Sequence, residues 1–122
     1  MAIQYVASVR HVDVGGGATP AVVLSKRTLL AADGEIAPAV AGKQILVLAT
    51  TVFHRSGTAI LAFRSNSAVG AIMMGQFPNT PTVQTYDFNP RGWGTASVAG
   101  ESLFGDLIGA GAWHIHVTYA LI

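Results

Sequence analysis

The pair of residues best spaced to do chemistry is His114 and His116, separated by Ile115 in a run of alternating side chains near the end of the chain. Imidazoles at i and i+2 of a strand project from one face and can share a metal ion. A zinc or iron site needs at least a third ligand, which His54 or His11 would have to supply, and no Asp or Glu occurs in the six residues after His116. The pair is therefore read as exposed or interface histidines, and no metal ligand is assigned.

Other candidates fail on pattern. Cupin enzymes carry a glutamate shortly after their His-x-His pair, and that residue is missing here. Ser102 lies in Gly100-Glu101-Ser102-Leu103-Phe104, which lacks the final glycine of a nucleophile elbow. The six acids, Asp13, Asp33, Glu35, Asp87, Glu101 and Asp106, include no pair that spacing marks as facing carboxylates. Gly15-Gly16-Gly17 has no following lysine and helix, so it reads as a hinge and not as a phosphate loop. Trp93, beside the turn Asn89-Pro90-Arg91-Gly92, is an interface anchor, a sugar platform or a cap on the end of the fold. No catalytic residue and no cofactor is expected.

Composition supports a binding role. Of 122 residues, 51% are hydrophobic and only 11% charged, with a mean hydropathy of +0.48. A charged fraction well below the usual quarter leaves much of a small domain's surface to small and apolar side chains, which favours burial in an assembly. The seven Lys and Arg are scattered and the net charge is +1, so no basic stripe tracks a phosphate backbone and nucleic acid is not expected as a partner. Without cysteine there is no disulfide, thiolate site or cysteine nucleophile. Neither a signal sequence nor a membrane span is expected from the N-terminus or from Ile45 to Phe53, the longest apolar stretch.

The elements that must position these residues read as strands. Ala2 to Val12 is an extended arm or first strand, ended by the three glycines, so residues 1–17 are taken as an N-terminal arm and hinge and 18–122 as one β-sandwich domain. Strands are expected at Ala21 to Leu30, Lys43 to His54, Thr58 to Arg64, Val69 to Met74, Val83 to Phe88 and Glu101 to Ile108, with Ile36 to Val40 ambiguous because of Pro38. In Lys43 to His54, Ile45, Val47, Ala49, Thr51 and Phe53 fall on one face by strict alternation, and Arg55-Ser56-Gly57 predicts a hairpin into the next strand. Of Met73 and Met74, only one is expected to face the core. In the last strand Trp113, Ile115, Val117, Tyr119 and Leu121 point one way and His114, His116, Thr118 and Ala120 the other. About eight short antiparallel strands with Gly/Pro punctuation and no amphipathic helix give an all-β, jelly-roll-like sandwich.

The run Thr58-Ala59-Ile60-Leu61-Ala62-Phe63-Arg64-Ser65, the segment Tyr86-Asp87-Phe88-Asn89-Pro90-Arg91-Gly92-Trp93, then Ala99-Gly100-Glu101-Ser102-Leu103 and the closing strand ending in Val117-Thr118-Tyr119 resemble capsid decoration, or cement, proteins of tailed bacteriophages. The resemblance covers roughly residues 43–122 and rests on pattern. It implies a jelly-roll or tumour-necrosis-factor-like sandwich that assembles as a homotrimer on the outer capsid surface and clamps the major capsid protein, with no enzyme activity and no cofactor. Tyr5 and Val9 on the arm, with Trp93, are the expected interface residues. The competing readings are a carbohydrate- or receptor-binding virion module, which Trp93-dependent glycan binding would favour, and a degenerate cupin enzyme, which metal bound by His114 and His116 would favour.

Overall fold

The C-terminal segment Gly111–Leu121 alternates as its sequence demands, burying Trp113, Ile115, Val117 and Tyr119 to 2% exposure or less while His114 faces solvent. It becomes the centre of the larger of two sheets. The computed structural model describes residues 6–13, 18–80, 82–87 and 95–122, with side chains described from Pro20 onward.

Among these residues the chain forms nine strands: β1 (Val6–Asp13), β2 (Ala18–Leu30), β3 (Gly34–Ala37), β4 (Ile45–Gly57), β5 (Ile60–Ser65), β6 (Ile72–Phe77), β7 (Val83–Asp87), β8 (Leu103–Ile108) and β9 (Gly111–Leu121). They make a five-stranded sheet in the order β1-β2-β9-β4-β7 and a four-stranded sheet in the order β3-β8-β5-β6. Every pairing is antiparallel. Apart from the β1–β2 and β5–β6 pairs, each successive strand lies in the other sheet.

The core lies between the sheets. Trp113, Tyr119, Phe63, Ile36, Ile45, Leu61 and Leu103 are among its largest fully enclosed side chains. The indole Nε1 of Trp113 donates to the Ala59 carbonyl at 3.1 Å, giving a buried polar group the partner it requires. Phe77 sits between Phe63 and Tyr86, with ring centroids 5.0 and 5.5 Å away. A second, smaller cluster of Ala21, Val23, Leu46, Leu48 and Ala120 occupies the outward side of the five-stranded sheet, packed with Ala96 and Ile122.

Several expectations are corrected by irregular pairing. In β4 the alternation holds on each side of Leu48 but inverts there, so Ile45 and Val47 join the inter-sheet core while Ala49, Thr51 and Phe53 share the outward face with the β9 histidines. The cause is a β-bulge between Val47 and Ala49, whose extra residue shifts the period-two pattern by one. Met73 and Met74 are both buried, at 2% and 4% exposure, because the β5–β6 register slips where Phe63 faces Met74 and Arg64 faces Ile72.

The expected hairpin from β4 to β5 is instead a crossing between sheets. Gly57 takes φ of +77°, and the N–H groups of Thr58 and Ala59 both donate to the Ala110 carbonyl, at 2.8 and 3.1 Å, which turns the chain over the edge of the core. β6 runs through Gly75 to Phe77, where a loop was expected. β3 stops at Ala37, just before Pro38, as an edge strand should. Residues Val6–Asp13 pair with β2 along their whole length, from Val6 opposite Ser25 to Asp13 opposite Ala18, and so add a ninth strand to the expected eight or so.

Candidate functional site

Register places His114 and His116 in two rows across the outward face of the five-stranded sheet. Leu29, His114, Phe53 and Val83 stand side by side on β2, β9, β4 and β7, and the next row is Arg27, His116, Thr51 and Thr85. With strands about 4.8 Å apart, each row spans roughly 14 Å. Leu29 is 48% exposed and Val83 60%, large values for apolar side chains. All of these residues except Thr85 line an open depression of about 770 Å³.

The electrostatics of this face are positive. Arg55 Nη1 lies 3.4 Å from His114 Nε2. A guanidinium has only N–H donors, so in this long contact Nε2 of His114 is the accepting atom. Burial, and secondarily the Arg27 guanidinium, hold the His116 imidazole below its ordinary pKa of 6.5. Beyond these rows Ser25 and Thr118 share a hydroxyl hydrogen bond of 3.0 Å, and further on the sheet face is covered by its own small cluster.

The outward face of the four-stranded sheet has a different character. Ile72, Arg64, Phe104 and Glu35 form one row on β6, β5, β8 and β3, and Ile60 stands opposite Ile108. Ile72 is 53% exposed and Ile108 44%. Arg64 Nε donates to Asp106 Oδ2 at 2.8 Å and its Nη1 to the Gly70 carbonyl at 2.9 Å, so the central charges cancel within the face.

The segment 95–102 ties the sheets together at one end. Buried Ser97 accepts the Ile45 N–H at its Oγ (2.7 Å), while Ser65 Oγ donates to Glu101 Oε2 (2.7 Å) and accepts the Val98 N–H (3.0 Å). These serines have structural partners and no histidine among them. Ser102 is buried, its carbonyl accepting the Asn66 N–H.

The two histidines share a face as the alternation demanded, but among the described residues no third ligand is brought to them, and the side chain of His11 lies outside the described residues. His54 packs instead against Trp113, ring centroids 5.1 Å apart, and its Nε2 is enclosed without a hydrogen-bond partner. No group of three or more His, Cys, Asp or Glu able to hold a metal occurs among the described residues. Of the expected interface residues, Tyr5 and Trp93 lie outside the described residues, and Val9 is placed only by its backbone, opposite Val22 in β1. Sequence reasoning missed Arg27, Leu29, Phe53 and Val83 as neighbours of the histidines, because only the long-range register aligns them. Scanned against protein-family models, curated proteins and solved structures, the chain matches none.

Proposed function

We propose that this protein is a non-catalytic structural component of a phage virion, a jelly roll that associates with copies of itself and decorates the outer surface of the capsid. The jelly-roll reading is supported by strand order: setting β1 aside, two four-stranded antiparallel sheets, β2-β9-β4-β7 and β3-β8-β5-β6, exchange strands at nearly every connection.

The observation that carries the assembly reading is the outward face of the four-stranded sheet. Ile72, Ile108, Ile60 and Phe104 surround an internally neutralised Arg64–Asp106 pair, a surface that water solvates poorly and a second apolar surface covers well. β6 borders this face as a sheet edge, and its sequence Ile-Met-Met-Gly-Gln-Phe has neither a charge nor a proline to discourage pairing with another chain. The occupant is a second copy, in a homotrimer. The capsid partner rests on the resemblance of residues 43–122 to decoration proteins, with Tyr5, Val9 and Trp93 as candidate contact residues to another subunit or to the major capsid protein. Repetition over a shell multiplies each weak contact.

Mixing the purified protein with expanded capsids tests the capsid step. Electron microscopy should reveal ordered density on the outer surface, and bare shells at saturating protein would refute it. A second reading, a carbohydrate- or receptor-binding virion module, is favoured by the open depression on the five-stranded sheet.

A further inference from the structure

The depression on the five-stranded sheet differs from the assembly face in charge and in size, and it assigns its own class of ligand. We propose that it binds a small organic acid, with a carboxylate held by Arg27 and an aromatic or branched aliphatic body lying over Phe53, Leu29 and Val83. This inference stands apart from the assembly reading, which uses the opposite sheet.

Charge selects the sign of the ligand. Arg27 and Arg55 flank the two histidine rows, and no carboxylate lines the depression among the described residues. The acid placed nearest by register is Asp87, opposite Ala49 and one row beyond Thr51 and His116. A guanidinium presents parallel N–H groups that match a carboxylate, and Arg27 is exposed and available on its strand.

The same charges argue against the other occupants. Among the described residues a metal ion would meet two imidazoles, one already in contact with Arg55 and the other beside Arg27. Two copies meeting face to face about a twofold axis would set four arginines against one another, a like-charge cost that the apolar row would have to overcome. Nucleic acid would find two arginines and an apolar strip, too few cations to follow a backbone.

Size and chemistry complete the assignment. The volume of about 770 Å³ falls within the range of small-molecule sites, roughly 300–1,000 Å³. The exposed Leu29 and Val83 and the half-buried Phe53 offer an apolar floor, while Thr51 and His116 add hydrogen-bonding groups beside Arg27.

The test is an amide NMR titration of the full chain with 4-phenylbutyrate, the uncharged 4-phenylbutyramide, acetate and zinc chloride as probes. Phenylbutyrate should give saturable shifts centred on Leu29, Phe53, His114 and His116, with the amide and acetate each at least about tenfold weaker. Arg27→Gln should weaken phenylbutyrate about tenfold and leave the amide unchanged. Leu29→Glu, a second exposed position, should abolish the shifts while keeping a dispersed spectrum. Four outcomes overturn the proposal: no saturation by about 10 mM phenylbutyrate, equal binding of the amide, tighter binding of zinc at the histidines, or shifts of this face that follow protein concentration without any probe, which would give it to a second copy.

Discussion

Arg64 and Asp106 pair on the outward side of the four-stranded sheet, Nε to Oδ2 at 2.8 Å, with side-chain exposures of only 21% and 11%. An outward position this enclosed cannot hold a lone charge cheaply, so each residue depends on the other. The pair leaves the centre of the face without net charge, and the isoleucines and Phe104 around it set its character.

Asp106→Ala removes the acceptor and leaves Arg64 with the Gly70 carbonyl alone. The expected loss is about 1–2 kcal/mol, toward the low end because Arg64 can swing to water. Urea unfolding of the variant, of Arg64→Ala and of the double variant measures it. A coupling indistinguishable from zero would mean that the pair does not stabilise the fold.

At Gly57 the backbone is left-handed, and a Cβ would collide with the Ala110 carbonyl that accepts the N–H groups of Thr58 and Ala59. Gly57→Ala should therefore cost more than about 3 kcal/mol, combining backbone strain with a clash that has no flexible atom to give way. Gly42 has a similar φ of +72° but open space around it, so Gly42→Ala should cost only about 1 kcal/mol. Melting temperatures of the two variants, compared side by side, check the difference, and equal losses would remove the crossing from the account.

His116 makes stability depend on pH. Its pKa is lowered in the folded state, so the unfolded chain binds the proton more readily. Its contribution is complete well above pH 6.5 and is lost as pH falls through the ordinary value toward the folded one, below which it levels off. Urea midpoints of the protein should fall between pH 8 and pH 5 by more than those of His116→Gln. Parallel pH profiles for the two proteins would contradict this assignment.

The last strand was legible because one bulge-free run of alternation set all its residues, and the outward placement of His114 and His116 followed at once. β4 was legible as a strand but not as a surface, since the bulge at Leu48 arises from how it pairs with β9 and leaves no local mark. The crossing after Gly57 misled because glycine and serine serve a sheet-to-sheet corner as readily as a hairpin. The two methionines were misplaced for the same reason as β4, a register slip against β5. What the sequence could not bring together were the rows: Leu29, Phe53 and Val83 are 54 residues apart from first to last and meet beside His114 only through three separate pairings. Ile72 and Ile108 were likewise read as strand residues with no means of knowing that both look outward.

The central claim is that the exposed apolar face of the four-stranded sheet is covered by another copy of the chain, and the mass in solution tests it directly. Sedimentation equilibrium should give a multiple of 12.6 kDa, threefold for the trimer, that persists on dilution to low micromolar concentration, while Ile72→Glu with Ile108→Glu should run as a folded 12.6 kDa species. A wild-type protein that sediments as a 12.6 kDa monomer at high concentration would contradict the account.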